Sequence, residues 1–214
     1  MPVTAIVPTL NEEERLGATL EAAWAAGVAE LIVADGGSSD ATIAIARAHG
    51  AIVVTGETMR ARQLNRGAEA ASHEALVFLH ADTLLPHGAA SAIEEALART
   101  DFGGFRVEFI EGGLRLLWVA FAINVRTRLT RAPWGDQAQF ARRGIRYPEL
   151  PIMEDYELAR RMKRRAAIVP LAVRTSGRRF LQKGVVRASC INWLIIISYH
   201  LGVPPERLAR WYRG

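Results

Sequence analysis

Short apolar runs alternate with longer alanine-rich segments over the first hundred residues. Four runs predict β-strands: Thr4–Val7, Leu31–Ala34, Ile52–Thr55 and Ala75–Leu79. The segments that follow them predict helices near residues 13–26, 40–49, 60–71 and 87–98. Strands that alternate with helices favour βαβ units and a parallel sheet flanked by helices. The pattern therefore predicts an α/β fold with a Rossmann-like, mostly parallel sheet.

The regular alternation ends near residue 100. The elements predicted beyond it are strands at Phe102–Phe109, Gln137–Ala141 and Ile168–Val173, and helices at Leu114–Leu129 and Asp155–Arg165. These elements are expected to complete the sheet. Because no repeat or linker interrupts the chain, we expect a single domain over residues 1–214, with one half at 1–100 and the other at 101–214.

A long apolar segment lies near the C-terminus. Residues 188–205 contain no Asp, Glu, Lys or Arg, and this length is close to the roughly 20 apolar residues of a membrane span. Polar residues interrupt the run, so a helix that covers the core is favoured. A helix on an anionic membrane surface and a true span are the alternatives. Cys190 lies in this run and is predicted to be a packed thiol.

Composition and charge narrow the possible partners. Residues 1–125 carry 8 Arg against 16 Asp and Glu, whereas residues 126–214 carry 19 Lys and Arg against 6 Asp and Glu. A basic C-terminal half indicates an anionic partner such as nucleic acid, anionic lipid or a diphosphate. Nucleic acid is disfavoured, because no zinc-finger, helix-turn-helix or RNA-recognition signature accompanies the arginines.

The N-terminus and the cysteine content predict the compartment. Met1-Pro2 leads directly into the first strand without a basic or cleavable apolar segment. The single cysteine excludes an intramolecular disulfide. We therefore expect a cytoplasmic protein, with peripheral attachment at the inner face of the membrane as a further possibility.

Acidic residues follow three of the apolar runs. Asp35 ends the second strand, His80 and Asp82 follow the fourth, and Glu154-Asp155 opens a later helix. In doubly wound sheets ligands bind beyond the carboxyl ends of the strands, so one convergent site that holds a metal-bound phosphate is predicted. There is no Walker-type or dinucleotide fingerprint, which argues against ATP hydrolysis and hydride transfer.

These motifs resemble those of the inverting family 2 glycosyltransferases with a GT-A fold. The resemblance covers nearly the whole chain and is carried by Ile6–Glu12, the acidic tip at Asp82, and Glu154–Leu158. Trp134–Gln137 and Val203–Ala209 make the chain most similar to short soluble bacterial-type members without transmembrane spans. The resemblance implies transfer of a sugar from a nucleotide diphosphate sugar to a hydroxyl acceptor, with inversion.

The resemblance also implies roles for particular residues. It places the nucleobase and ribose at Asp35 and the Thr9–Glu12 segment, and the next helix offers Arg60 and Arg62 to phosphate oxygens. The expected nucleotide-binding residues are Thr9, Leu10, Asn11, Glu12, Asp35, Gly36, Arg60, Arg62 and Ala81. Turn formation is the alternative for Asp35, and a solvated helix face is the alternative for the two arginines.

Asp82 matches the last aspartate of the family's Asp-x-Asp motif, which implies a divalent metal, Mn²⁺ or Mg²⁺, bridging the diphosphate. His80 stands where many members have an aspartate. An imidazole ligand would favour Mn²⁺ over Mg²⁺. Contact with the ribose, or packing alone, are the other interpretations of His80.

The family's Glu-Asp pair implies that Asp155 is the general base and that Glu154 orients or tunes it; helix capping is the alternative. The acceptor or diphosphate side is expected to contain Gly135, Asp136, Gln137, Arg178 and Arg179. Ser176–Phe180 lacks the Gln-x-x-Arg-Trp motif of processive members, so a single transfer is expected. Arg146–Pro151 also replaces the glycine-rich turn that many members carry before the acidic pair.

Two alternative functions are open on the sequence. One is a transferase that acts on a polyprenyl phosphate at the membrane surface, which would explain the basic half and the aromatic C-terminal tail. The other is a nucleotide-sugar-binding protein without turnover. Binding to anionic liposomes would identify the first, and a donor hydrolysis assay would discriminate the second.

Overall fold

An eight-stranded mixed sheet organises the chain in the computed structural model, which describes residues 1–213. The strands are β1 (Val3–Thr9), β2 (Glu30–Asp35), β3 (Ile52–Thr55), β4 (Ala75–Phe78), β5 (Thr83–Leu84), β6 (Phe102–Phe109), β7 (Phe140–Arg142) and β8 (Ala166–Thr175). Their order in the sheet is β3-β2-β1-β4-β7-β6-β8-β5. The first four are parallel, β7 is antiparallel to β4 and β6, β8 is parallel to β6, and β5 is antiparallel to β8. The predicted α/β fold is confirmed.

Helices flank this sheet and continue into a helical C-terminal region. They are α1 (Leu16–Ala25), α2 (Thr42–Ala48), α3 (Arg60–Ala70), α4 (Ala89–Leu97), α5 (Leu114–Thr130), α6 (Glu154–Met162), α7 (Arg178–Lys183), α8 (Val185–His200) and α9 (Pro205–Arg213). Short 3-10 turns lie at Gly135–Gln137 and Lys163–Arg165. Among residues 1–213, no helix has both the length and the apolar character needed to cross a bilayer.

The sheet is buried on both faces, as parallel strands usually are. In β1, Ala5 and Val7 belong to one apolar cluster, whereas Ile6, which points to the opposite face, belongs to a second cluster. The second cluster includes Leu64 of α3. Gly67 allows α3 to lie close to β1, because a Cβ at this position would be 2.4 Å from the Ile6 side chain. The carboxyl ends of β1 and β2 are thereby held beside the N-terminus of α3.

Two predictions in the second half are wrong. The strand predicted at Gln137–Ala141 begins only at Phe140, because the buried Gln137 side chain closes the preceding turn by accepting a hydrogen bond from the Trp134 backbone N–H at 3.2 Å. Cys190 is exposed rather than packed, because α8 buries only Ala188, Ile195 and Ser198.

Candidate active site

Three adjoining cavities lie beyond the carboxyl ends of β1, β2 and β4. The front cavity, of about 390 Å³, is lined by residues that include Leu10, Glu12 and Ala81. The central cavity, of about 530 Å³, contains Asp155. The apolar groove, of about 990 Å³, runs between α5 and α8. The first two cavities share the walls Arg60, His80, Asp82 and Pro151, and the last two share Trp134, Asp136, Phe180, Asn192 and Ile196.

Asp35 lies beneath the front cavity and is fully buried. Its carboxylate accepts hydrogen bonds from Thr9 Oγ1 at 3.0 Å and from the backbone N–H groups of Gly37 and Ser38 at 2.8 Å, as well as from Ser38 Oγ. Burial raises the pKa of Asp35, but these hydrogen bonds outweigh it and hold the pKa below its usual value. The charged carboxylate therefore holds the turn after β2, and a nucleobase would have to replace one of these donors.

The segment after β1 is tied to the same turn. Asn11 adopts a left-handed backbone conformation with φ +54°, its N–H donates to Ser38 Oγ at 2.9 Å, and its Oδ1 accepts from the Ser39 N–H at 2.9 Å. This places Leu10 and Glu12, on either side of Asn11, in the wall of the front cavity. Gly36 lies in the turn itself, where its carbonyl accepts a hydrogen bond from Thr58 Oγ1.

Gln63 is a site residue that the sequence analysis missed. Its Nε2 donates to the carbonyl oxygens of Thr9 and Ala34, both at 2.8 Å, and it lines the front cavity. It thereby joins the ends of β1 and β2 to α3. The available signal was its spacing of three residues from Arg60, which puts both side chains on one face of the helix.

The structure does not bring Arg62 to the cavities. Its Nε donates to Glu149 Oε2 at 3.0 Å, and it also pairs with Glu57. Arg62 lines none of the three cavities. The alternative interpretation, a solvated helix face, describes its position.

Asp82 lies where the front and central cavities meet. Burial raises the pKa of Asp82, and the nearby Arg178 acts in the opposite direction. Burial also raises the pKa of Glu12, and the charge of Asp82 raises it further. Among the side chains of residues 1–212, none hydrogen-bonds the Asp82 carboxylate. A buried carboxylate with a second carboxylate nearby creates an environment that favours a cation.

This environment fits a divalent metal held jointly by protein and substrate. Over the described residues, no cluster of three or more His, Cys, Asp or Glu side chains could hold a metal by itself. Mg²⁺ and similar cations are often bound by one or two carboxylates together with substrate phosphates. Asp82, with Glu12 nearby, matches that pattern.

His80 is not free to act as a metal ligand in this arrangement. Its Nε2 is in hydrogen-bonding contact with Nη2 of Arg60. Burial, and then the charge of Arg60, lower the pKa of His80 well below its usual value. A neutral imidazole that accepts from a guanidinium positions Arg60, and the arginine charge disfavours a metal ion at the same nitrogen.

Arg60 also reaches Glu154 at the start of α6, with 3.4 Å between Arg60 Nε and Glu154 Oε1. The Glu154 side chain is buried. Burial raises its pKa, Arg60 opposes the shift, and the charge of Asp155 adds to it. Arg60 therefore contacts both His80, which follows β4, and Glu154 of the acidic pair in α6.

Asp155 projects from the first turn of α6 into the central cavity. Its Oδ2 accepts a hydrogen bond from the Gly135 N–H at 2.7 Å, and its Oδ1 accepts one from the Tyr156 N–H at 2.7 Å. A Cβ at Gly135 would lie 2.7 Å from Asp155 Oδ2 and 3.0 Å from His80 Nε2. Only glycine fits there, so the Gly135 loop fixes the direction of the Asp155 carboxylate.

Gln139 supports this arrangement and was also missed. Its Nε2 donates to the Asp155 carbonyl at 2.9 Å and to the Pro133 carbonyl at 2.8 Å, and its Oε1 accepts from the Tyr147 hydroxyl at 2.7 Å. The loop before the 3-10 turn and the start of α6 are thereby held together. A buried glutamine next to a short strand gave no sequence signal of this role.

The predicted acceptor-side residues occupy different places. Arg179 lines the central cavity and lies 3.9 Å from the centre of the Tyr212 ring. The charge of Arg178 opposes the rise in the pKa values of both Asp82 and Glu12. Asp136 lines the central cavity and the apolar groove. Gln137 is wholly buried and lines none of the cavities; its Nε2 donates to the Phe105 carbonyl at 2.9 Å. Gln137 is therefore a structural residue of the loop.

Arg126 of α5 lines the apolar groove together with Asp136. Its guanidinium stacks on the Trp134 ring, 3.4 Å from the ring centre. Burial lowers the pKa of Arg126 to about 10, and the charges of Asp136 and Asp155 oppose the shift. Burial raises the pKa of Asp136, against the effect of Arg126. No sequence pattern distinguishes Arg126 from the other arginines of the basic half.

Structural comparison identifies the fold. TarS from S. aureus, solved as residues 1–349, is similar with a TM-score of 0.64 and 19% identity, over 82% of this chain and 60% of that one. Glucosyl-3-phosphoglycerate synthase from Mycobacterium tuberculosis, solved with Mn²⁺, UDP and glucosyl-3-phosphoglycerate, gives a TM-score of 0.61 and 20% identity, over 95% of this chain and 81% of that one. TarS has also been solved with UDP-GlcNAc. The expected GT-A fold is confirmed.

Sequence comparison identifies the family. The chain spans only about 60% of the length of TarS 1–349. Curated protein sequences give no significant match. The family model described as glycosyl transferase family 2 matches residues 4–166. The chain therefore belongs to glycosyl transferase family 2, a family of glycosyltransferases.

Proposed function

We propose that the protein transfers a single sugar from a nucleoside diphosphate sugar to a hydroxyl acceptor, with inversion at the anomeric carbon and with Asp155 as general base. The carrying observation is the Asp155 carboxylate. The Gly135 N–H orients this carboxylate, which faces the central cavity. Asp82 and Arg60 line the same cavity. An inverting transfer needs one carboxylate on the acceptor side of the anomeric carbon, next to the leaving-group site.

The nucleotide occupies the front cavity in this proposal, with its diphosphate at the boundary with the central cavity. Arg60 and Arg178 offer positive charge to the phosphate oxygens there. Asp82, assisted by Glu12, would hold Mn²⁺ or Mg²⁺, which would neutralise charge on the departing nucleoside diphosphate. The complexes of related proteins with UDP, UDP-GlcNAc and Mn²⁺ support a donor and a metal of this kind.

The two halves of the chain supply different parts of the proposed site. Residues 1–100 supply most of the front cavity, and residues 101–214 supply Asp155 and the acceptor side. Asp155 takes the proton from the acceptor hydroxyl as the oxygen attacks the anomeric carbon. The backbone N–H groups of Gly135 and Tyr156 fix the carboxylate for that proton transfer. Glu154 holds Arg60 in place through their ion pair.

The substitution Asp155→Asn tests the base. It keeps the size of the side chain and one of the two hydrogen bonds from the Gly135 and Tyr156 N–H groups, because an amide has a single acceptor oxygen, and it cannot take a proton. Turnover should fall by about 10²–10⁴-fold, with kcat and kcat/KM reduced together, while affinity for the nucleoside diphosphate stays within a few fold. Transfer is measured with a panel of UDP, GDP, CDP and dTDP sugars.

Glu154→Gln is the matched control and should reduce turnover less, because Glu154 acts on Arg60 rather than on the acceptor. Near-parental transfer by Asp155→Asn would show that the base is another carboxylate, with Asp136 the next candidate. Donor binding without any transfer or donor hydrolysis by the parent protein would instead support a nucleotide-sugar-binding protein without turnover.

A further inference from the structure

The apolar groove adjoins the central cavity that contains Asp155, and both are lined by Trp134, Asp136, Phe180, Asn192 and Ile196. One wall is formed by α5, including Trp118 and Ile123, and the other by the start of α8, including Val185 and Trp193. Much of the surface around it is apolar and exposed, with Trp118 at 69% and Trp193 at 58% exposure. Because the two cavities share these lining residues, a molecule bound at Asp155 lies next to the groove.

Positive charge surrounds the junction between the groove and the central cavity. Arg115, Arg126 and Arg187 line the groove, and Arg179 lines the central cavity beside it. In the part of the chain that the structure describes, none of these four arginines forms an ion pair. The only acidic side chain that lines the groove is Asp136. The central cavity adds Asp155, so the four arginines face two carboxylates at the junction, and positive charge is in excess next to an apolar surface.

Arg126 is the most unusual of the four arginines. Its Nη2 donates to Gln137 Oε1 at 3.0 Å and to Thr127 Oγ1 at 2.9 Å, so the guanidinium is held rigidly. Its Nε is buried and has no hydrogen-bond acceptor. Buried donors are seldom left unsatisfied, because an unpaired donor loses its hydrogen bonds to water without replacement. A bound anionic group would offset the charge and supply acceptors at this point.

We infer that the acceptor is a single-chain anionic amphiphile whose apolar chain lies in the groove, with its anionic group between Arg126 and Arg179 and its hydroxyl at Asp155. The inference rests on the proposed function and names the class of acceptor for it. The hydroxyl oxygen forms the bond to the anomeric carbon, and its proton passes to Asp155. The bond from the anomeric carbon to the phosphate oxygen breaks, and the nucleoside diphosphate leaves with the electron pair.

Charge favours this occupant over a second copy of the chain. A two-fold symmetric dimer through α5 and α8 would bring the same patch of each copy together. Arg115 and Arg187 of the two copies would then face a surface of like charge, which opposes association. An anionic amphiphile complements both the apolar groove and its cationic junction.

Binding of alkyl phosphates tests the inference. Dodecyl phosphate, used below its micellar concentration, should bind at least tenfold more tightly than butyl phosphate by isothermal titration calorimetry, and inorganic phosphate should bind most weakly. Ala122→Trp, which places a large side chain in the groove, should remove the dependence on chain length. Ala18→Trp is the matched control on an exposed position of α1 and should leave it unchanged. Arg179→Gln should weaken binding of both alkyl phosphates.

Stabilisation by UDP, GDP, CDP and dTDP, each with Mn²⁺, is measured on the same samples and separates failure of the acceptor class from failure of the proposed function. If the nucleotide binds but chain length has no effect, the acceptor class is wrong and the proposed function stands. If neither ligand binds, the proposed function itself fails. A dimer that Ala122→Trp dissociates, or binding to anionic vesicles that Ala122→Trp leaves unchanged, would overturn the inference in favour of a second copy or a membrane surface.

Discussion

Gly135 is the residue at which geometry constrains the proposed chemistry most tightly. Gly135→Ala places a Cβ 2.7 Å from Asp155 Oδ2 and 2.9 Å from Arg60 Nη2, so the carboxylate or the arginine has to move. We expect turnover to fall by about 10²-fold, the scale of a displacement of roughly 1 Å at a reacting group, and stability to fall by about 1–3 kcal/mol. Steady-state transfer kinetics and urea unfolding measure the two effects.

Gly17→Ala provides the comparison for Gly135→Ala. A Cβ at Gly17 meets His49 at 3.5 Å, which is ordinary van der Waals contact. Because Gly17 lies within α1, alanine should stabilise the protein by about 0.5–1 kcal/mol without changing turnover. Equal activity of the two variants would show that the Gly135 loop does not position Asp155.

The sequence could indicate which residues line the cavities in some cases and not in others, for physical reasons. Carboxylates that directly follow buried strands or open a helix, such as Asp82 and Asp155, were predictable because their elements fix where they point. The resemblance led us to expect Gln137 and Arg62 in the site. Gln137 instead donates to the Phe105 carbonyl and Arg62 to Glu149, and neither lines the cavities. Arg126 contacts Trp134 and Gln137 across the turn that follows α5, and no helix or strand period predicts contacts across a turn.

At the scale of elements, α6 carries the acidic pair and is anchored to α8 through Glu157, which lies in the same first turn. Glu157 accepts hydrogen bonds from Arg160 Nε at 2.8 Å and Arg161 Nε at 2.7 Å, and from the Tyr199 hydroxyl at 3.2 Å. The hydrogen bond from Arg160 is the main cause that lowers the pKa of Glu157 to about 2, with Arg161 and Tyr199 contributing. The orientation of Asp155 thus depends in part on a contact between two helices.

This contact predicts a dependence of stability on pH. Because the folded-state pKa of Glu157 is depressed, its contribution is present above the unfolded value near 4.5 and is lost as pH falls toward about 2. Glu157→Gln should lower the free energy of unfolding by about 1 kcal/mol at pH 7, and the difference should shrink between pH 4.5 and 2. Urea unfolding across this pH range measures it.

Glu149→Gln serves as the control for Glu157→Gln. Glu149 pairs with Arg62 on an exposed surface, where such pairs contribute about 0–1 kcal/mol, so its effect should be smaller. A constant difference between the parent and Glu157→Gln from pH 7 to pH 2 would contradict the role assigned to the glutamate charge.

The regular elements of the first hundred residues were predictable because each strand is a short apolar run between helices of the same βαβ unit. The elements of the second half were less predictable. The two-residue strand β5 and the short helix α7 have too few residues for a period to show, and the turn at Gly135–Gln137 is closed by side-chain hydrogen bonds rather than by backbone preference.

At the scale of the whole molecule, the two halves share one sheet, because β7 of the second half lies between β4 of the first half and β6. We therefore propose a single cooperative unit. Trp24 is the only tryptophan in residues 1–100, so fluorescence of Trp24→Phe reports on the second half alone. Its urea transition should coincide with the transition seen by far-ultraviolet circular dichroism, which reports on both halves. Separate midpoints would indicate two independent domains.

Ligand binding should stabilise this whole unit. At a concentration about 100-fold above its dissociation constant, a nucleoside diphosphate with Mn²⁺ should add roughly 2.7 kcal/mol. Without the metal the gain should be smaller, since Asp82 and Glu12 repel the diphosphate. Asp82→Asn should remove the metal-dependent part in a thermal-shift assay. The same stabilisation in the presence of EDTA would exclude a metal at this site.

The exposed thiol of Cys190 allows a fluorescent label to be attached close to the groove. It is the only thiol in the chain, and its side chain lies on the surface of α8, next to Ser189, which lines the groove. A maleimide dye should therefore attach at one defined place, without mutagenesis and without filling the groove. Its emission would respond to what enters between α5 and α8, so a natural residue provides a built-in reporter for ligand entry.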